Sequence, residues 1–94
     1  MLTPKQKVKL RSIAMNLKPI YQIGKDGITQ NLIEGLSLAL EAHELIKVSV
    51  LKTVSAPVKE IALDITSATN SELVQVIGRQ VVLYRQSKKQ LIKF

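Results

Sequence analysis

The strongest constraint on the fold is the alternation of two hydrophobic periods along a chain of 94 residues. Segments with apolar residues three and four positions apart, typical of amphipathic helices, alternate with short β-branched segments, typical of strands. The order predicted from this alternation is α-β-α-β-α-β-β. Because strands that alternate with helices favour right-handed parallel crossovers, we expect an α/β fold. It would be a four-stranded mixed sheet packed with three helices, with the last strand folded back antiparallel.

The first helix is predicted from its start signal and from a single apolar stripe. Thr3 and Gln6 match a capping box, and Pro4 suits the first helical position. The stripe consists of Leu10, Ile13, Ala14 and Leu17. We expect the helix to end at Lys18, because a residue that precedes proline is disfavoured in a helix.

The other elements follow from similar signals. Strands are predicted at residues 20–23, 44–52, 73–77 and 81–85, the last two as a hairpin. Thr29 is the predicted cap of the second helix, Pro57 opens the third, and Asn70 suits a left-handed cap at its end. The chain is therefore predicted to be one domain, residues 1–94, with a core of about residues 3–86 and a frayed basic tail, residues 87–94.

The distribution of charge indicates a polyanionic partner. Fourteen Lys and Arg face seven Asp and Glu, which gives a net charge of +7. Residues 1–25 hold six of the cations and residues 79–94 hold five, and neither segment contains an acid. Charge placed at both ends of a chain in this way is typical of proteins that bind nucleic acid.

The composition excludes several classes of site. The chain has no cysteine and one histidine, His43, so disulfides, thiolate metal sites and histidine-rich metal sites are ruled out. His43 suits the end of a helix, where a cation is favourable. We expect no cofactor, no metal and no small-molecule substrate. The N-terminal residues lack the apolar region of a signal peptide, and no apolar run could span a bilayer, so a cytoplasmic protein is predicted.

Gly24-Lys25-Asp26-Gly27, between a predicted strand and a predicted helix, is the candidate binding loop. Glycines let a ligand approach the backbone closely, and the following helix offers unpaired N–H groups and the positive end of its dipole. An ordinary β–α turn is the alternative interpretation. Dinucleotide-binding and Walker patterns are absent.

The predicted topology also places the cations. If the first helix runs antiparallel to the first strand after a tight connection, its Lys5, Lys7 and Arg11 lie at the same end of the sheet as the glycine loop. Arg79 in the hairpin is expected at that end too. Arg85 and the tail lysines would lie a strand length away, roughly 17–20 Å.

Three stretches resemble the CRM (chloroplast RNA splicing and ribosome maturation) family, in particular its bacterial stand-alone, YhbY-like members. They are residues 21–29 (YQIGKDGIT), residues 43–48 (HELIKV), and residues 76–78 (VIG) with 83–85 (LYR). With the first helix, the resemblance covers residues 3–86. It implies a compact RNA-binding domain similar to the C-terminal domain of translation initiation factor three, with a glycine loop like that of KH domains. It also implies association with the precursor of the large ribosomal subunit.

The leading hypothesis is thus a non-catalytic protein that binds RNA, expected to be ribosomal RNA, and acts in assembly of the large subunit. The candidate RNA-binding residues are Gly24, Lys25, Asp26, Gly27, Thr29, Lys5, Lys7, Arg11, Lys18, Arg79 and Arg85. Two alternatives stay open: a basic domain that binds an acidic protein, and a phosphate-handling enzyme that uses Lys25 and Asp26. Tyr21 and Tyr84 fit either base stacking or core packing.

Overall fold

The structure, a computed structural model, describes residues 2–94. Its elements are α1 (Pro4–Ala14), β1 (Tyr21–Ile23), α2 (Gln30–His43), β2 (Leu45–Val50), α3 (Val58–Thr69), β3 (Glu72–Ile77) and β4 (Gln80–Tyr84). This order and the four-stranded mixed sheet confirm the predicted fold class.

The strands lie in the order β1-β2-β4-β3. β1 is parallel to β2, and β4 is antiparallel to both of its neighbours. The crossovers through α2 and α3 move across the sheet in the same direction. Crossovers of one hand and one direction place their helices on the same face. This α2/α3 face buries the larger core, formed by Ile23, Leu36, Leu40, Ile46, Val48, Val50, Ile61, Ala62, Ile65, Val81 and Leu83.

The opposite face of the sheet, the α1 face, is covered in part by α1. Its smaller core consists of Leu10, Ala14, Leu45, Val74, Val82 and Tyr84. Leu45 and Tyr84 are directly opposite each other at one end of the sheet, which we call the distal end. Ile23 and Val50 mark the other end, called the loop end because the glycine loop follows Ile23.

α1 lies across the distal half of the sheet, and the expectation that it starts at the loop end is wrong. The main-chain N–H of Leu2 donates to Oε1 of Glu72 at 3.0 Å. Glu72 opens β3 opposite Tyr84, so the start of α1 is at the distal end. The helix ends at Ala14 rather than Lys18, and residues 15–20 form a connection long enough for α1 to cross the strands. Lys5, Lys7 and Arg11 therefore do not share an end with the glycine loop.

The helix caps follow the sequence closely. Thr3 and Gln6 form both hydrogen bonds of a capping box, at 3.2 Å and 2.9 Å. Thr29 caps α2 by accepting from the N–H of Leu32 at 3.1 Å. Asn70 ends α3 in the left-handed region with φ 55°, a conformation that asparagine tolerates. These local predictions are confirmed. They could be made from the sequence because each cap depends on neighbouring residues alone.

The C-terminal tail is folded onto the domain, and the prediction that it frays is wrong. Glu44 is fully buried at the end of α2 and accepts from the N–H groups of Ser87 at 2.8 Å and Ile92 at 2.7 Å. Phe94 then packs edge-on against Tyr84, with ring centroids 5.9 Å apart. The tail is ordered because it satisfies a buried carboxylate that the sequence pattern does not reveal as buried.

Within residues 2–94, no helix has the length and apolar character needed to cross a membrane.

Candidate nucleic-acid interface

The glycine loop is a tight turn with an exposed tip. The N–H of Gly27 donates to the carbonyl of Gly24 at 2.9 Å, and Gly27 has φ 68°, a conformation that side chains disfavour. Lys25 and Asp26 at the tip are exposed and form no hydrogen bond or ion pair with any other described residue. A Cβ added at Gly24 would lie 3.5 Å from Leu51, an ordinary contact. The positions of the loop therefore differ: only Gly27 requires glycine for its conformation.

The loop leads into the positive end of α2. The hydroxyl of Thr29 satisfies one N–H of the first turn, and that turn contains no acid. The remaining N–H groups there have no partner within the helix. Together with the Lys25 ammonium they form a local concentration of positive potential suited to a phosphate.

Two other connections meet the glycine loop at the loop end. The carboxyl ends of neighbouring parallel strands lie at the same edge of a sheet, so residues 51–57 after β2 lie beside residues 24–29 after β1. The N–H of Leu51 donates to the carbonyl of Ile23 at 2.9 Å. Exposed Lys52 joins Lys25 in this way, and α3 also begins here. Lys52 was not among the residues predicted from the sequence, although the parallel pairing of its strand with β1 was the signal for it.

Arg79 lies at the loop end, as predicted. It belongs to the turn between β3 and β4, and its guanidinium donates to the carbonyl of Val50 from Nε at 2.8 Å and to that of Leu51 from Nη2 at 2.7 Å. These bonds tie the hairpin to the end of β2. Arg79 thus holds a positive charge at a fixed position beside Leu51, which adjoins Gly24.

The cations of α1 divide between its two flanks. Lys9 faces the tail: its ammonium donates to the carbonyl of Lys93 and lies 5.7 Å from the ring centroid of Phe94. At 100° per residue, Lys5 falls on the same flank as Lys9. The opposite flank carries Lys7 and Arg11, and Lys18 follows in the connection after the helix; we call these three residues the cationic flank. Because the tail lies at the distal end, the cationic flank faces the part of the sheet that α1 leaves open.

The open part of the α1 face is largely polar. Side chains that are directly opposite in the register lie on the same face, which places Gln22 beside Ser49, Ser49 beside Gln80, and Lys47 beside Val82. Lys47 is only 8% exposed and forms no side-chain hydrogen bond or ion pair within residues 2–94. None of the described buried side-chain nitrogens lacks a partner, so its ammonium reaches solvent along a buried stem. Lys47 is a second cation that sequence analysis did not select.

The two faces of the sheet carry opposite charge. The exposed surfaces of α2 and α3 have four acids and one lysine: Glu34, Glu41, Glu60, Asp64 and Lys59. α1 has four cations and no acid. Among the described strand residues on the α1 face, Glu72 alone is acidic, and it lies at the distal end beside Leu2. A polyanion is therefore attracted to the α1 face and repelled by the α2/α3 face.

Arg85 stands apart from the other candidates. It follows β4 at the distal end, a strand length from the glycine loop as predicted. Its guanidinium donates to the hydroxyl and carbonyl of Ser37 at 3.1 Å and 2.8 Å and to the carbonyl of Thr69 at 2.8 Å, and lies 3.7 Å from Glu41. These partners join α2, α3 and β4. The geometry thus gives Arg85 a structural role on the α2/α3 side.

Both tyrosines pack inside the protein. A Cβ added at Gly35 in α2 would lie 2.6 Å from the hydroxyl of Tyr21, so glycine at this position makes room for the ring. Tyr84 is 5% exposed, and burial, with the nearby Glu44 and Glu72 carboxylates, raises the pKa of its hydroxyl above the ordinary value. Tyr21 is partly buried against the larger core and Tyr84 is buried in the smaller one, so both rings take part in core packing.

Comparison with known proteins then identifies the family. The model of the CRS1/YhbY (CRM) domain matches residues 2–85. The chain belongs to the CRM family. The Bacillus subtilis protein named "Probable RNA-binding protein YqeI" is 48% identical over 95% of this chain and 93% of its own. A protein from Haemophilus influenzae named "RNA-binding protein" is 36% identical over 98% of this chain and 93% of its own.

A solved structure confirms the fold of this CRM domain. The solution structure of a hypothetical protein from Staphylococcus aureus superposes with a TM-score of 0.80 and 55% identity. The match covers 94% of this chain and 92% of that one.

In this CRM domain the predicted residues form two groups on one side of the sheet, and two residues lie outside both groups. Residues 24–27, Thr29 and Arg79 meet at the loop end, whereas the cationic flank borders the same face from the distal half. Lys5 lies on the other flank, and Arg85 is bound within the protein. Within residues 2–94 no three His, Asp or Glu side chains are grouped so that they could hold a metal ion.

Proposed function

We propose that this CRM domain is a non-catalytic RNA-binding protein. The RNA backbone binds to its α1 face, along a path that runs from the cationic flank to the glycine loop. The observation that supports this most strongly is the opposite charge of the two faces of the sheet. Lys7, Arg11 and Lys18 border one side of the face, Lys25 and Lys52 border the other, and Lys47 lies between them. Phosphates bound along this path would release counterions and gain affinity.

The partner we propose is structured RNA. Its recognition would depend on shape and phosphate contacts, because both tyrosines pack inside the domain and 3% of the residues are aromatic. The glycine loop would hold one phosphate by the N–H groups of the turn and of the first turn of α2, with Lys25 beside them. RNA binding is supported by the names of the relatives from Bacillus subtilis and Haemophilus influenzae.

The finer proposal is that the RNA is ribosomal and that the domain acts in assembly of the large subunit. The resemblance to the bacterial stand-alone members of the family supports this finer proposal. In this account Asp26 shapes the turn and has no part in a reaction.

Crosslinking in living cells, followed by sequencing of the attached RNA, tests this proposal, together with sedimentation of the protein through a ribosome gradient. We expect crosslinks concentrated in large-subunit RNA and sedimentation with particles that precede the mature large subunit. Ribonuclease treatment should release the protein from those particles. Retention of the partner after ribonuclease, with no RNA crosslink, would instead indicate an acidic protein partner and contradict the proposal.

A further inference from the structure

A groove of about 460 Å³, here called the edge groove, opens beside the start of β2. Its walls are the end of α1, the start of β2 and the folded tail. The apolar lining comes from Ile13, Leu17, Ile20, Ile46 and Ile92. Ile13 is 36% exposed and Ile20 is 48% exposed, so the groove presents apolar surface to solvent.

The groove exists because β1 is too short to cover β2. β1 pairs with Val48–Val50 only, and the chain before it leaves the sheet after the N–H of Ile20 donates to the carbonyl of Lys47 at 2.9 Å. Glu44 and Val50 bond to Arg85 and Arg79, the residues that flank β4, and main-chain groups alternate in direction along an antiparallel strand. Leu45, one residue after Glu44, therefore directs its N–H and carbonyl toward the groove.

The polar residues of the groove select for an anionic, partly apolar ligand. Asn16, Lys18, His43 and Lys47 line it, and no acid does. Asn16 and His43 can both donate and accept hydrogen bonds, and the two lysines supply positive charge. Lys18 also belongs to the cationic flank, so the groove is continuous with the path proposed for the RNA backbone.

We propose that the edge groove receives one unpaired base of the bound RNA, with its phosphate beside Lys18 and Lys47. This rests on the proposed function and adds a site to it. A base has two apolar faces and a polar edge, which match the isoleucine walls and the Asn16, His43 and Leu45 main-chain groups. The volume accommodates one nucleotide, and its aliphatic walls take the place of aromatic stacking.

An apolar peptide is the other occupant of such a groove, since the edge of β2 could pair with an added strand. The continuity with the cationic flank and the two lysines favour the nucleotide. The experiment therefore has to separate an RNA base at the groove from RNA that binds elsewhere on the α1 face.

The test uses NMR of isoleucine methyl groups with two RNA hairpins that differ by one bulged adenosine. Ring currents of an inserted base should shift the methyl resonances of Ile13, Ile20 and Ile46 with the bulged hairpin but not with the fully paired one. Ile61 and Ile65 are buried isoleucines that do not line the groove, and they serve as internal controls.

A pair of matched variants provides a second readout. Ile20→Glu places an acid in the groove, and Leu63→Glu makes the same change at a residue of α3 that is 50% exposed, on the opposite side. We expect Ile20→Glu to weaken binding of the bulged hairpin about tenfold more than Leu63→Glu does, and to remove the preference for the bulge.

Shifts of the Lys7 and Arg11 amides without shifts of the groove methyls, together with equal affinities of the two variants, would overturn the groove proposal and leave RNA binding to the α1 face intact. Absence of binding by either hairpin would instead count against the proposed function, and the groove proposal would fail with it.

Discussion

The carboxylate of Glu44 accepts two hydrogen bonds from Ser87, one from its N–H at 2.8 Å and one from its hydroxyl at 2.7 Å. Together with the bond from the N–H of Ile92, they fold the tail around the end of α2. Burial raises the pKa of Glu44, but the hydrogen bonds together lower it by more than burial raises it. The pKa of Glu44 is therefore below the ordinary value.

The first prediction concerns this contact and the dependence of stability on pH. Because the folded state lowers the pKa of Glu44, it binds fewer protons than the unfolded state, so the stabilisation is complete above the ordinary glutamate pKa and is lost as pH falls through the lowered one. Glu44→Gln should reduce the free energy of unfolding at neutral pH by about 2–3 kcal/mol and flatten its decline in acid. Urea unfolding at several pH values measures both. A variant as stable as the parent would contradict the role of the carboxylate.

The second prediction separates the two glycines of the loop. Gly27→Ala should cost about 1–2 kcal/mol of folding stability, because alanine at φ 68° is strained. Gly24→Ala should change stability by less than about 0.5 kcal/mol, since its methyl would meet Leu51 at an ordinary distance. If a phosphate approaches the backbone here, Gly24→Ala should still weaken RNA binding about tenfold. Unchanged affinity of a folded Gly24→Ala variant would exclude close approach at this residue.

The third prediction tests the cationic flank. Lys7→Glu with Arg11→Glu should lower RNA affinity strongly and reduce the slope of log K against log salt by roughly 2, about one unit for each lost phosphate contact. Circular dichroism should stay unchanged, because both side chains lie beside the buried stripe. Lys88→Glu with Lys89→Glu makes the same change in charge at the distal end, where the Lys88 N–H bonds to Glu41. Equal losses in the two double variants would mean that only net charge matters.

Local patterns in the sequence predicted the elements of the fold well. The capping box at Thr3, the cap at Thr29 and the left-handed Asn70 each depend on a few neighbouring residues, so they could be read directly. The parallel pairing of β1 with β2 followed from the intervening helix. Arg79 was placed at the loop end because β3 runs in the same direction as β1, so the turn after β3 lies at the same end as the glycine loop after β1.

The errors arose where the outcome depends on distant residues. The position of α1 depends on a hydrogen bond between Leu2 and Glu72, which are 70 residues apart. It also depends on the early end of α1, which stops before Lys18 and leaves a longer connection to β1. The tail is ordered by Glu44, whose burial no local pattern shows. The alternation of Lys47 with apolar neighbours predicts that its side chain points away from the larger core. Only the order of the strands in the sheet shows that it lies on the same face as the cationic flank.

The fourth prediction concerns the tip of the glycine loop. Lys25→Asp should weaken RNA binding by at least about 1–3 kcal/mol, the scale of a charge-assisted hydrogen bond, and change stability by no more than about 0.5 kcal/mol. Lys89→Asp is the control, because Lys89 is also exposed but lies at the distal end. Binding isotherms at one salt concentration compare them. Similar losses of RNA affinity in both variants would mean that the loop is an ordinary β–α turn and not an RNA-binding site.

The most direct test of the proposed RNA surface is a map of backbone amide shifts during titration with a structured RNA hairpin. The account predicts shifts at residues 24–29, 47–52 and 78–80 and along the cationic flank, with little change at Glu34, Glu60 and Asp64 on the opposite side. It also predicts that these shifts disappear as salt is raised, since phosphate contacts supply the affinity. Shifts centred on the outer surfaces of α2 and α3 would contradict the assignment of RNA to the α1 face.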